Sequence, residues 1–135
     1  MNDTNKVLVD TSLWIDFFRG DDSAKKTVDA LIDNDCICCT GVVLAELLQG
    51  AKTEKEVKFL REFIHAFEFL EAGSGTWDKA GELSFRMRTK GHTVGLFDCF
   101  LAVLAVQYNV AMATRDAHFK ALAKESGLTL FPESR

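Results

Sequence analysis

Proline occurs once in 135 residues, and no segment is low in complexity, repeated or linker-like. Those absences argue against disorder, because apolar residues make up 47% of the chain and can bury a core. The length fits one domain, residues 1–135, and falls short of two ordinary ones. Long apolar runs are missing too. The longest, Leu96 to Val106, contains Asp98 and is well short of the ~20 residues a bilayer-spanning helix needs. The start MNDTNKVLVD lacks a basic region followed by a long apolar core, so no signal peptide is expected. A soluble, cytoplasmic protein with no membrane partner is the expectation. An excess of basic residues is also lacking. A net charge of −4 argues against a protein that coats DNA non-specifically, although bound cations and local basic patches still permit a nuclease.

The four cysteines, Cys36, Cys38, Cys39 and Cys99, have no histidine at zinc-site spacing and form no disulfide framework. Buried reduced thiols are expected, since free cysteine packs as a small hydrophobe.

What the chain does have is alternation of strand and helix. Short apolar strands are predicted at 6–10, 36–40, 67–71, 110–114 and, at an edge, 128–131. Helices are predicted at 12–19, 23–34, from Thr40 to Gln49, after Thr53, from Thr76 to Gly91, at 97–108 and at 116–126. This order implies right-handed crossovers and a mostly parallel sheet of four to five strands, covered on both faces as an α/β/α sandwich.

Four acids interrupt the apolar segments or end them: Asp10 in KVLVDTSLWIDFF, Glu46 in VVLAELLQG, Asp98 in VGLFDCFLAVLA and Asp116 in VAMATRDAHF. No lysine or arginine lies inside the apolar runs flanking the first three. Each acid has an ordinary alternative. Asp10 and Asp116 can cap helices, Asp98 can complement a helix dipole, and Glu46 can sit on a helix surface. Jointly they point elsewhere, because strand–helix alternation brings all four to the carboxyl end of one sheet, where open parallel sheets bind ligands. Carboxylates gathered without bases repel one another and favour a divalent cation. A metal-dependent hydrolase is therefore expected.

The stretches VLVDTSLWIDFFRG, VVLAELLQG, FDCFLAVLA and ATRDAHF resemble the four acidic motifs of PIN-domain ribonucleases, and most closely those of VapC toxins of toxin–antitoxin pairs. The resemblance spans essentially the whole chain. It departs at Phe97, where many relatives carry proline. It implies a PIN-like fold and an endoribonuclease that hydrolyses RNA phosphodiester bonds. It also implies metal coordination and catalysis by Asp10, Glu46, Asp98 and Asp116. A supporting polar role falls to Thr114 and to Thr11 or Ser12. Oxygen ligands suit Mg²⁺ or Mn²⁺. A cognate antitoxin and a homodimer are the partners implied. Trp14, Phe17, Phe18 and the 57–67 helix are their candidate surface, with plain core as the alternative. The candidate RNA contacts are Arg86, Arg88, Lys90 and Arg115, with His92 beside them. His65 and His118 are expected to be structural, and Asp16 to face solvent or a partner.

Two other readings stay open: a housekeeping PIN nuclease of RNA processing, and a non-catalytic α/β metal-binding module. A response-regulator receiver needs paired acids after the first strand, and LVDTS has one. An aspartate-nucleophile phosphatase needs Asp where Ser12 stands.

Overall fold

The computed structural model describes residues 5–132; residues 1–4, which belong to the start read for a signal peptide, lie outside them. The strands β1 (Val7–Val9), β2 (Ile37–Cys39), β3 (Glu68–Phe69) and β4 (Ala111–Ala113) form one sheet in the order β3-β2-β1-β4, and every neighbouring pair is parallel. VLV and ICC are buried throughout, as strands covered on both faces require.

Among the described residues seven helices accompany them: α1 (Thr11–Phe18), α2 (Asp22–Asp33), α3 (Gly41–Gln49), α4 (Glu54–His65), α5 (Ser74–Thr89), α6 (Leu96–Tyr108) and α7 (His118–Ser126). The first crossovers step from β1 to β2 to β3, and the last returns past β1 to β4. Right-handed connections running in opposite directions place their helices on opposite faces. Accordingly α1 packs on α2 and α3, and α3 on α4, while α5, α6 and α7 pack together. In α6 every residue from Cys99 to Ala105 is buried, which fits a helix apolar all round.

The local start signals mostly act as expected. Thr40 Oγ1 accepts the N–H of Val43, and Thr53 Oγ1 accepts that of Glu56. Two expectations are corrected. The helix placed after Thr76 begins at Ser74; Thr76 is buried inside it and donates to Gln107 Oε1 at 2.7 Å. A hydroxyl that finds a partner on the neighbouring helix is no longer needed as a cap. The edge strand at 128–131 shrinks to a single parallel bridge between Leu130 and Met112. The Met112 N–H donates to the Thr129 carbonyl, and its carbonyl accepts from Phe131. Pro132 follows and has no N–H to extend the ladder.

Candidate active site

Val9 pairs with Ala113, so the chain leaves β1 and β4 side by side, and the Asp10 N–H donates to the Ala113 carbonyl at 2.9 Å. This is the point where the strand order reverses. Asp10 is only 4% exposed. It stands at the N-cap position of α1, yet its side chain caps nothing. Its Oδ2 instead accepts the hydroxyls of Ser12 at 2.9 Å and Thr114 at 2.8 Å. Those hydroxyls in turn accept N–H groups, Ser12 from Arg115 on the opposite loop and Thr114 from Asp116 on its own. The ends of β1 and β4 are thus fastened through one carboxylate oxygen, which leaves Oδ1 without a partner among these hydrogen bonds.

Glu46 is the sixth residue of α3, the helix that starts at the carboxyl end of β2. Half-buried, it accepts the Thr11 hydroxyl at 2.6 Å. Thr11, Ser12 and Thr114 therefore all serve carboxylates. Asp98 lies in the first turn of α6, whose start faces the same sheet edge. Its carboxyl is pushed up to about 6, first by burial and then by the charges of Asp10, Asp116 and Glu46. That influence places Asp10, Asp116 and Glu46 within electrostatic reach of Asp98. Asp116 follows β4 and accepts the His118 N–H at 2.9 Å, so it does part of a cap's work while remaining beside the other acids.

The structural role expected for His118 does not describe its position. Its Nδ1 lies 3.2 Å from Asp116 Oδ1, and ligand atoms of Asp98, Asp116 and His118 fall within 4.8 Å of one another. The signal in the sequence was its place two residues after Asp116, at the turn that opens α7. His65 stacks on Phe69 with ring centroids 4.9 Å apart, in keeping with a packing role.

The expected RNA-contacting cations mostly have partners within the chain. Arg86 pairs with Glu82 and Glu125, and Lys90 with Glu125 at 2.7 Å. The Arg115 guanidinium turns to Asp16, Asp21 and Ser23, which also gives Asp16 an internal partner. Arg88 rests over the Phe85 ring. His92 lines a shallow cavity with Lys90 and Lys120.

Trp14 is fully buried among Phe17, Phe18, Phe63 and Phe67, which makes it core rather than partner surface. Beside that cluster a cavity of about 540 Å³ runs from Glu46 along Ile15, Phe18, Leu47, Phe59 and Leu60. All four cysteines are free and buried, as expected.

The donor set fits a hard divalent cation. The acids offer carboxylate oxygens, and a cation offsets the mutual repulsion that adds to burial in raising the Asp98 carboxyl.

Fold and site together define an α/β protein with an acidic centre at the carboxyl edge of a parallel sheet. The PIN domain family matches residues 7–125. The chain belongs to that family and, within it, to the VapC ribonucleases. It is 31% identical over 128 residues to ribonuclease VapC32 of Mycobacterium tuberculosis, covering 94% of this chain and 98% of that one. Ribonuclease VapC11 of the same organism is 28% identical over 127 residues, covering 90% and 95%. Among solved structures, VapBC2 from Rickettsia felis bound to a promoter DNA fragment superposes with a TM-score of 0.71 at 25% identity, covering 85% of this chain and 91% of that one.

Proposed function

We propose that this chain is a metal-dependent endoribonuclease, the toxin of a VapBC-type pair, with Asp10, Glu46, Asp98 and Asp116 as its catalytic, metal-holding acids. The observation that carries the reading is the clamp of Ser12 and Thr114 on Asp10 beside an Asp98 whose carboxyl is raised by burial and by the charges of Asp10, Asp116 and Glu46. These four carboxylates would hold a Mg²⁺ or Mn²⁺ ion, which when bound would supply Lewis-acid stabilisation of the negative charge on an RNA phosphate. The chain's own contribution is position. Ser12 and Thr114 occupy Asp10 Oδ2 and leave Oδ1 free of these hydrogen bonds, and Thr11 fixes Glu46. His118 holds Asp116 through both its backbone N–H and its ring Nδ1, which lie against Asp116 Oδ1.

The cavity beginning at Glu46 has the shape and apolar lining to take one face of an antitoxin helix, with a basic side chain ending among the acids. A homodimer is supported by a surface away from Trp14, Phe17 and Phe18. Trp77, Phe85, Leu96, Phe97, Val106 and Tyr108 are exposed large apolar residues on α5 and α6. Among the described residues no helix is long and apolar enough to cross a membrane, and the proposed place of action is the cytoplasm, where RNA is available.

The reading is tested by incubating purified protein with an unstructured RNA oligonucleotide in chelator and then in excess Mg²⁺ or Mn²⁺. Internal cleavage restored by the metal is expected; cleavage indifferent to chelator would contradict it.

A further inference from the structure

A cavity of about 640 Å³ opens beside Asp116, between α7 and the terminal segment that runs along β4. Three cationic residues line it, Arg115, Lys120 and Lys124, against one acid, Asp116. Lys120 and Lys124 are one helical turn apart on α7, so both side chains project from the same face. Both residues are exposed, and neither makes an ion pair among the described residues. In this they differ from Arg86, Lys90 and Arg115, whose charges are met inside the chain. The opposite wall is Leu130, Phe131 and Pro132. Phe131 is 37% exposed, yet its backbone is fixed by the hydrogen bond to Met112. Its ring is therefore an apolar surface on an anchored support, across the cavity from the lysines.

We propose that this cavity is the path by which single-stranded RNA leaves the acidic centre, with Lys120 and Lys124 on successive phosphates and Phe131 stacked on an unpaired base. The inference rests on the nuclease reading of the site and adds the strand's course. Three features favour RNA as the occupant. The cavity is continuous with the centre through Asp116. Its unpaired positive charge lies in a chain whose net charge is −4, so attraction for a polyanion is local to this face. A cationic wall facing an aromatic one is the arrangement that holds a backbone and a base together, and only an unpaired base presents its face for stacking.

The test is binding of a fluorescent, unstructured RNA oligonucleotide, followed by anisotropy in chelator so that no strand is cut. The proteins compared are the wild type, the Lys120→Ala/Lys124→Ala double variant and Phe131→Ala. The double variant is expected to bind roughly tenfold more weakly, and its log–log salt slope to be smaller by about 1.4, at about 0.7 per lost phosphate contact. Phe131→Ala is expected to lose about tenfold in affinity with the slope unchanged. Lys120→Arg/Lys124→Arg should keep wild-type affinity, and all variants should melt like the wild type, since the substituted groups are exposed. Removing equal charge elsewhere, by Lys55→Ala/Lys58→Ala on α4, should change affinity less than about twofold. Unaltered affinity and slope in the α7 double variant overturn the proposal, and so does an equal loss in the α4 control. Metal-dependent cleavage by the wild type is measured separately and bears on the nuclease reading alone.

Discussion

The Thr114 hydroxyl donates to Asp10 Oδ2 at 2.8 Å and accepts the N–H of Asp116 at 3.0 Å. One small side chain thus sets the spacing of two acids that are far apart in the sequence. Thr114→Val keeps the shape and removes both interactions. Metal affinity and RNA cleavage are expected to fall by about 10- to 100-fold, while Thr114→Ser keeps most of both. Calorimetric metal titration beside cleavage rates distinguishes this from a structural effect. If Thr114→Val lowers the melting temperature but leaves metal affinity unchanged, the positioning role is wrong.

Asp98 makes stability depend on pH in a definite direction. Its carboxyl titrates near 6 in the folded chain and near 3.8 when free of the fold. Between those values the folded state binds more protons, so this contribution is full below 3.8 and is lost as pH climbs through about 6. In chelator, Asp98→Asn should therefore melt above the wild type near neutral pH, with the gap closing towards about pH 4. Divalent cation should stabilise the wild type most near neutral pH, where the acids are ionised. A gap that does not vary with pH contradicts the crowding of acids around Asp98.

The thiols of Cys38 and Cys39 are pushed up to about 12, chiefly by burial, and those of Cys36 and Cys99 are raised by the same cause. A thiol needs its thiolate to react. Native protein at mildly alkaline pH should resist a thiol-specific disulfide reagent, and all four cysteines should react after unfolding. Rapid labelling of the native protein refutes the inert reading.

Trp14 is buried within a ring of phenylalanines, although its indole Nε1 has no hydrogen-bond partner. Packing therefore outweighs the cost of that unpaired donor. Trp14→Ala should cost about 3–5 kcal/mol in urea unfolding. Phe59, which is 53% exposed, should cost under about 1 kcal/mol when changed to Ser. Similar losses at both positions would contradict the division between core and groove.

Much of this organisation was legible in the chain. KVLVD ends a strand with an acid, and FDCFLAVLA has too few polar residues for any helix but a central one. Local patterns of that kind identify elements. They do not order strands, so the meeting of Asp10 and Thr114 needed the pairing of β1 with β4. Cap signals misled where tertiary contact took over, as at Thr76, whose hydroxyl is claimed by Gln107. Long cationic side chains were the least legible. Arg86 and Arg115 read as free charges in sequence, but their partners Glu125 and Asp21 arrive from other helices. Histidine and cysteine spacing gives no sign of where His118 lies, because its neighbours in space are the acids Asp98 and Asp116.

The central claim is that four carboxylates form one metal-dependent, RNA-cutting centre. Its most direct test is Mg²⁺-dependent cleavage of cellular RNA by the wild type and by Asp10→Asn, with cut sites mapped by sequencing and folding checked by circular dichroism. The account predicts discrete cleavage by the wild type and none by the folded variant. Undiminished cleavage by Asp10→Asn at the same sites would contradict it.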